Sequence, residues 1–231
     1  MKLVAVMDLM AGQVVHARRG LRDAYLPLRS GLCTGCDAVT VAGALLALHP
    51  FHALYLADLD AILRRGDNLA VMERLRRTLP DLPLWVDAGI GNAAALQRFR
   101  DAGLGTAVIG SETVADLHVL EGAAGGDDFV LSLDFRAGAF LGPAQLATSA
   151  KHWPRRIVAM NLDRVGSGSG PDLALLATLR QCRSQGEIFA AGGIRSRADV
   201  DAAGAAGAAG VLLASALHDG SLTADDLKHF G

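Results

Sequence analysis

The chain has little of what several large protein classes require. Its 231 residues include 22 basic and 24 acidic side chains, so it lacks the basic excess of a nucleic-acid-binding protein. It has no run of about twenty apolar residues free of charges, so we expect no membrane span. The N-terminus enters a strand pattern directly, without the basic and apolar regions of a signal peptide. We therefore expect a cytoplasmic protein that binds neither nucleic acid nor membranes.

Cysteine is also scarce, because the chain has only three, an odd number that does not make a disulfide framework. Cys33 and Cys36 have C-x-x-C spacing, which leaves a redox pair or half of a metal site open. No second cysteine pair or histidine cluster accompanies them, and this favours incidental cysteines. We predict neither a metal nor another cofactor.

Short apolar runs alternate regularly with amphipathic stretches along the chain. Residues 69–78, 93–102 and 172–182 place apolar side chains at helical spacing, whereas the runs between helices are apolar on both faces, as in buried parallel strands. This alternation predicts a (β/α)8 barrel or a doubly wound sheet. The predicted strands are Leu3–Met7, Ala53–Ala57, Leu84–Val86, Ala107–Ile109, Phe129–Leu133, Arg156–Met160, Glu187–Ala190 and Gly210–Leu213.

Three sequence blocks occur twice, in the same order, about a hundred residues apart. The pairs are Val4–Gly12 with Val130–Gly138, Asp87–Ile90 with Ala191–Ile194, and Ala102–Ser111 with Ala206–Ser215. Such a period is too long for a solenoid unit and favours a barrel, because four strands plus four close on themselves. No linker divides the chain, so we predict a single barrel over residues 1–231, with internal duplication into half-barrels of about 1–125 and 126–231.

Two acidic residues occupy related positions in these halves. Asp8 and Asp134 lie at the ends of predicted strands one and five, which face each other across an eight-stranded barrel. Active sites of such barrels lie at the C-terminal ends of the strands. A facing carboxylate pair can divide the roles of general acid and general base. The alternative is that one of the two caps a loop.

Glycine and serine follow several strands at the same end of the barrel. Loops of this type bind phosphate through main-chain N–H groups, and glycine lets the backbone approach closely. We predict two phosphate sites and a ligand with a phosphate at each end; the alternatives are simple turns, or first-half relics of duplication. The predicted residues are Gly192, Gly193, Ala214 and Ser215 in the second half, and Gly89, Gly110 and Ser111 in the first.

Two loops near these motifs leave alternatives open. The segment Gly166–Gly170 is interpreted as a flexible loop over the site or as a phosphate-contacting turn. Four arginines lie close together in the first loop, which indicates either a basic lid over an anionic ligand or a solvated surface. They are Arg18, Arg19, Arg22 and Arg29.

The motifs resemble those of the histidine-biosynthesis barrels, the family of ProFAR isomerase and of the cyclase subunit of imidazole glycerol phosphate synthase. The matching segments are Val6–Val15, Gly66–Leu69, Val130–Asp134, Ala190–Ile194 and Val211–Gly220. The resemblance implies a duplicated (β/α)8 barrel and a substrate with two phosphates. It also implies an Amadori rearrangement of an aminoaldose to an aminoketose without metal or cofactor. Asp8 and Asp134 would then be the catalytic carboxylates.

The chain departs from the isomerases at positions that contact substrate. Where the family has an Asp-Gly-Thr triplet after strand six, this chain has Val165, Gly166 and Ser167, and the family's preceding Thr becomes Met160 or Asn161. Asn161, Gly166 and Ser167 are therefore the predicted substrate-loop residues. The three-glycine motif of the first half is altered to Asp87–Asn92, which brings a repulsive negative charge toward the phosphate.

These departures predict a divergent isomerase that acts on a phosphorylated sugar-type substrate. A substrate with a single phosphate fits the altered first-half site better than one with two phosphates. The alternative is a non-catalytic or differently specialised barrel that binds a phosphometabolite, linked to methanopterin- or methanofuran-dependent one-carbon metabolism. We expect a monomer or a small homo-oligomer.

Overall fold

The computed structural model describes residues 1–121 and 126–230. Within these residues, eleven strands form one continuous sheet. They are β1 (Lys2–Met10), β2 (Gln13–His16), β3 (Leu26–Pro27), β4 (Ala53–Asp58), β5 (Leu84–Asp87), β6 (Thr106–Gly110), β7 (Phe129–Arg136), β8 (Ala139–Leu141), β9 (Arg156–Asn161), β10 (Glu187–Ala191) and β11 (Gly210–Leu213).

Eight of these strands run parallel and close into a ring. Strand β1 pairs with β4 on one side and with β11 on the other, where Lys2 lies opposite Gly210. The order around the ring is β1, β4, β5, β6, β7, β9, β10 and β11. The predicted (β/α)8 barrel is therefore confirmed, and the doubly wound sheet was the wrong alternative.

Helices connect the barrel strands on the outside. They are α1 (Ala38–Leu48), α2 (Leu59–Ile62), α3 (Leu69–Thr78), α4 (Ala93–Asp101), α5 (Ala144–Thr148), α6 (Leu173–Cys182), α7 (Arg197–Ala205), α8 (Ser215–His218) and α9 (Ala224–Lys228). Short 3₁₀ turns cover Arg22–Ala24, Leu117–Leu120 and Ala150–His152. Across the described part of the chain, no helix is long and apolar enough to cross a membrane.

Side chains of each barrel strand point alternately inward and outward. The inward side chains close the barrel at the N-terminal ends of the strands, here called the floor, and leave it open at the C-terminal ends, here called the mouth. Successive side chains of a strand point to opposite faces, so inward positions recur every second residue. On β5 this places Trp85 at the floor and Asp87 at the mouth. The ring of Trp85 meets that of Phe189 edge to face at 4.9 Å, and the Arg156 guanidinium lies 5.6 Å from the Trp85 ring centroid. These side chains fill the lower interior.

A β-hairpin projects above the mouth in each half, formed by β1–β2 and by β7–β8. Each turn has an Ala-Gly pair at positive φ, which glycine adopts readily. The Asp60 carboxylate accepts the N–H of Ala11 at 2.6 Å, and the Asp163 carboxylate accepts that of Ala137 at 2.5 Å. The duplication itself remains a prediction, and its boundary near residue 125 lies outside the described residues.

Candidate active site

A cavity of about 350 Å³ opens at the C-terminal ends of the strands. Both predicted carboxylates, Asp8 and Asp134, line it. So do the second-half residues and two residues of the predicted substrate loop, namely Gly192, Gly193, Ala214, Ser215, Gly166 and Ser167. The other four predicted residues do not contribute to its wall: Gly89, Gly110, Ser111 and Asn161.

Asp134 is fixed in place by hydrogen bonds on both carboxylate oxygens. Its Oδ1 accepts from the Ser132 hydroxyl at 2.6 Å, and its Oδ2 accepts from the Ser111 hydroxyl and the Glu112 N–H, each at 3.2 Å. Burial nevertheless raises the pKa of Asp134 to about 7; the Ser132 hydroxyl opposes this change, and the nearby Asp87 carboxylate adds to it. Asp134 is thus rigidly positioned and titrates near neutral pH.

Asp8 is held much less tightly. Its carboxylate faces the cavity and accepts no hydrogen bond from any side chain or main-chain group of the described residues. Burial raises the pKa of Asp8 to about 7, and the positive charge of Arg22 only partly opposes this. A carboxyl group with these properties exchanges protons readily at neutral pH.

A third carboxyl group, Asp87, shares the cavity. It is 7 % exposed, and its Oδ1 accepts the N–H of Gly89 at 3.1 Å. The Tyr55 hydroxyl lies 3.4 Å from its Oδ2. Burial raises the pKa of Asp87 to about 6, the Gly89 N–H opposes this, and the negative charge of Glu112 adds to it. The sequence indicated that Asp87 would repel a phosphate. It did not indicate that the Asp87 carboxylate would accept the N–H of Gly89 in the same loop.

Four main-chain N–H groups of the first-half loops, those of Gly89, Ser111, Glu112 and Thr113, already have internal acceptors. The N–H of Ser111 donates to the Ser132 carbonyl at 2.8 Å, and that of Thr113 donates to the Gly110 carbonyl at 3.0 Å. Glu112 and Gly89 donate their N–H groups to the carboxylates of Asp134 and Asp87, as described above. Ser111 itself is fully buried, which explains why these residues do not reach the cavity wall.

The second-half loops have the opposite character. Among residues 1–121 and 126–230, no acceptor is paired with the N–H groups of Gly193, Ser215 or Ala216. The Ser215 hydroxyl also faces the cavity, 3.2 Å from the His16 Nε2. Clustered main-chain donors with a hydroxyl beside them form an anion-binding arrangement. The predicted second-half residues are therefore brought together with free donors.

Glycine is required at both positions of the Gly192–Gly193 pair. Each has a positive φ, and a Cβ on Gly193 would stand 2.3 Å from the carbonyl oxygen of Gly170. The N–H of Gly170 in turn donates to the Gly193 carbonyl at 2.9 Å. The loop after β9 is therefore packed directly against the second-half donors, which places Gly166 and Ser167 on the cavity wall.

Asn161 does not take part in the cavity. Its Nδ2 donates to the Asp172 carboxylate at 2.7 Å, while its Oδ1 accepts the N–H of Asp163 at 3.1 Å. Both ends of the amide are thus used to anchor the loop to the start of α6. The neighbouring Met160 and Val165 line the cavity instead and give that wall an apolar surface.

One of the four clustered arginines reaches the site. Arg22 lines the cavity and forms a partly buried ion pair with Glu112 across the mouth. The other three, Arg18, Arg19 and Arg29, are exposed. Arg22 thus ties the first loop to the loop after β6, whereas its three neighbours belong to the surface.

The cysteines stay apart from this chemistry. Cys33, Cys36 and Cys182 are free thiols, and the Cys36 Sγ lies 3.5 Å from the side-chain oxygen of Gln13. Within the described ranges, no group of three or more His, Cys, Asp or Glu side chains is arranged to hold a metal ion.

These features define a (β/α)8 barrel with an acidic cavity at the C-terminal ends of its strands. The chain belongs to the histidine biosynthesis protein family, whose sequence profile matches residues 2–223. The family resemblance inferred from the motifs is confirmed.

Relatives match over nearly the full length. An uncharacterized protein of Methanocaldococcus jannaschii is 26% identical over 98% of this chain and 97% of its own. Two others are named 1-(5-phosphoribosyl)-5-((5-phosphoribosylamino)methylideneamino)imidazole-4-carboxamide isomerase, which is the full name of ProFAR isomerase. That of Xanthomonas campestris is 32% identical, with 96% of this chain and 95% of its own covered. That of Lacticaseibacillus casei is 28% identical, with 99% and 98% covered.

Proposed function

We propose that this protein is an isomerase that converts a phosphorylated aldose-type substrate to the ketose by metal-free acid–base catalysis. Asp8 and Asp134 act as the acid and the base, and the second-half loops hold the phosphate. The names of the Xanthomonas and Lacticaseibacillus relatives support this reaction class. The substrate is not assumed to be theirs, because Gly89, Ser111 and Glu112, which align with the free donors of the second half, already have acceptors for their N–H groups.

One observation carries the proposal. The same cavity contains two carboxyl groups with pKa values near 7 and, on another part of its wall, the unpaired N–H groups of the second-half loops. Ring opening needs a proton on the ring oxygen, and isomerisation needs a proton removed from C2 and one delivered to C1. Carboxyl groups that titrate near neutral pH perform both kinds of transfer.

Solvent exchange tests the reaction class on many candidate substrates at once. ProFAR and a panel of aldose and aminoaldose phosphates are incubated with the protein in D₂O and examined by mass spectrometry. We expect deuterium to enter a substrate or its ketose product, since the proton removed from C2 exchanges with solvent. Absence of both exchange and conversion across the panel would refute the isomerase.

A second candidate is a barrel that binds a phosphometabolite without converting it. It is favoured by Val165, which lines the cavity at a position where the resemblance leads us to expect an aspartate. Valine neither exchanges a proton nor accepts a hydrogen bond. Ligand-dependent thermal stabilisation without deuterium exchange would support this candidate over the isomerase.

The phosphate assignment predicts opposite results for two serines at matching positions of the aligned segments. Ser215→Ala is expected to weaken binding of inorganic phosphate about tenfold, because it removes a donor that faces the cavity. Ser111→Ala is expected to leave phosphate affinity unchanged but to lower the free energy of unfolding by about 2 kcal/mol. The reason is that the buried N–H of Asp134 donates to the Ser111 hydroxyl at 2.9 Å and would lose its partner.

Isothermal titration calorimetry measures the affinity of each variant, and urea unfolding measures its stability. The reverse pattern, with Ser111→Ala weakening phosphate binding and Ser215→Ala having no effect, would place the anion in the first half and contradict the assignment.

A further inference from the structure

The two ends of the cavity differ in charge at matching positions of the aligned segments. Asp87 aligns with Ala191, and Glu112, the residue after Ser111, aligns with Ala216. All four residues line the cavity. One end therefore presents two carboxylates where the other presents two methyl groups, beside otherwise similar loops. The ligand must differ correspondingly between its two ends.

A phosphate does not suit the acidic end. The donors that would hold it, the N–H groups of Gly89 and Glu112, are taken by the carboxylates of Asp87 and Asp134. Both carboxylates lie close to Gly110, with one oxygen of each within 3.4 Å of the position that a Cβ there would occupy. A phosphate would have to displace two buried acceptors and then lie beside their charges, which Coulomb repulsion opposes.

A positively charged group suits the acidic end of the cavity better than a phosphate does. Among the described residues, four carboxyl groups line the cavity apart from the second-half loops, those of Asp8, Asp87, Glu112 and Asp134. The guanidinium on that side is that of Arg22, which Glu112 already binds, whereas Arg195 belongs to the second-half loops. After burial, the negative charge of Glu112 contributes to the raised pKa values of Asp87 and Asp134, and the charge of Asp87 adds to that of Asp134. A positive charge in the cavity would relieve this repulsion between carboxylates.

Asp87 also has an oxygen that is incompletely hydrogen-bonded. The side chain is more than nine-tenths buried, yet within the described residues the donor to its Oδ2 is the Tyr55 hydroxyl at 3.4 Å, the long limit of a hydrogen bond. A buried carboxylate oxygen with so weak a partner has room for a stronger donor. The ring of Tyr55 adds aromatic surface beside this oxygen, and Tyr25 adds more elsewhere on the cavity wall. Aromatic rings with carboxylates are typical of sites that bind organic ammonium groups.

An organic cation fits better than a metal ion. Over residues 1–121 and 126–230, no three acidic, histidine or cysteine side chains converge on a common coordination position. The mouth carboxylates are instead spread around an open volume of about 350 Å³. That space accommodates an ammonium group together with its carbon chain.

We propose that the substrate carries a single phosphate, bound by the second-half loops, and at its other end a protonated amine that pairs with Asp87 beside Asp134 and Glu112. The phosphate end rests on the function proposed above, and the amine end is a separate claim about specificity. The amine adds no step to the reaction, because it is a binding group that stays protonated while Asp8 and Asp134 move the substrate protons.

Matched probes separate the two claims. The wild-type protein is titrated by calorimetry with ω-aminoalkyl phosphates of three to six carbons, the corresponding n-alkyl phosphates and the corresponding alkanediol bisphosphates. We expect the best aminoalkyl phosphate to bind about tenfold more tightly than its alkyl partner, which corresponds to one charge-assisted hydrogen bond. No bisphosphate is expected to bind more tightly than the alkyl monophosphate.

Two variants, one at the end of β5 and one just before it, assign the preference to the site. Asp87→Asn is expected to reduce the amine preference to about twofold, because the amide keeps the shape and loses the charge. Asp81→Asn is the control, since Asp81 is exposed just before β5, at the floor end of the barrel. It removes the same formal charge and is expected to retain the full preference.

The outcomes distinguish the two proposals. If alkyl phosphates bind without gain from the amine, or if a bisphosphate binds most tightly, the amine proposal is overturned while the phosphate site stands. If no phosphate probe binds, both fail. An equal loss of preference in Asp81→Asn and Asp87→Asn would also overturn the amine proposal, since overall charge and not this site would then explain the effect.

Discussion

Replacing Asp8 or Asp134 by asparagine is expected to lower turnover by about a hundredfold or more, the usual contribution of a positioned general acid or base. Asparagine preserves the size of each side chain but exchanges no proton. The rate is measured as deuterium incorporation into the best substrate found in D₂O. Phosphate affinity is expected to stay within about twofold of wild type, because the second-half donors are on other loops.

The two variants also differ in a way that tests the geometry. Asp134 is held by Ser132, Ser111 and the Glu112 N–H, so Asp134→Asn leaves some of these donors without an acceptor and should lower stability as well as rate. Asp8 has no such partners, so Asp8→Asn should lower the rate without lowering stability. Full activity in both variants would eliminate the pair as the acid and base.

Asp8→Asn is further expected to stabilise the folded protein at pH 8. The pKa of Asp8 is about 7 in the folded chain and 3.8 for the ordinary group. Above pH 7 the carboxylate is charged in both states, and burial makes that charge less favourable in the folded chain than in the unfolded one. Such a difference corresponds to about 4 kcal/mol, and solvent at the mouth reduces the expected gain to about 2 kcal/mol. The gain should shrink as the pH falls from 7 toward 4 and vanish only below about 3.8, where the carboxyl is protonated in the unfolded chain as well.

Urea unfolding at several pH values measures this effect, and the difference between variant and wild type is the informative quantity. Burial lowers the pKa of His218 to about 4, so the unfolded state gains protons at this site as the pH falls below 6.5, and the wild-type profile sums opposite trends. His218 is common to both proteins and cancels. Asp81→Asn, which replaces an exposed carboxylate, serves as the control. An Asp8→Asn variant that is equally stable at pH 5 and pH 8 relative to wild type would rule out the raised pKa.

Much of the barrel was predictable because its pattern is local. The helix α3 runs from Leu69 to Thr78 as predicted, since charged residues on one side make its period visible. Helix α1, Ala38–Leu48, was not predicted, because it is apolar on almost every side and shows no period. The first strand extends to Met10, beyond the predicted Met7, because Asp8 interrupts the apolar run while the β1–β2 hairpin continues the ladder.

The site was only partly predictable because its contacts join distant parts of the chain. Repeated blocks were sufficient to bring Asp8, Asp134 and the second-half loops to one cavity. They gave no sign that the Ser111 hydroxyl would bind Asp134, since the identical Ser215 in the other half faces the cavity and has an N–H group that is unpaired within the described residues. The pair between Arg22 and Glu112 spans 90 positions, and side-chain pairing over such a distance has no local sequence signal.

The aromatic contact between Trp85 and Phe189 limits the routes by which a reactant can reach the active site. The two ring centroids are 4.9 Å apart and Arg156 lies beside them, so side chains fill the barrel at its floor. In the part of the chain that the structure describes, a small reagent released beneath the barrel would meet these packed side chains before Asp8 and Asp134. A reactant of this protein is therefore expected to enter from solution through the mouth of the barrel, and its product is expected to leave the same way.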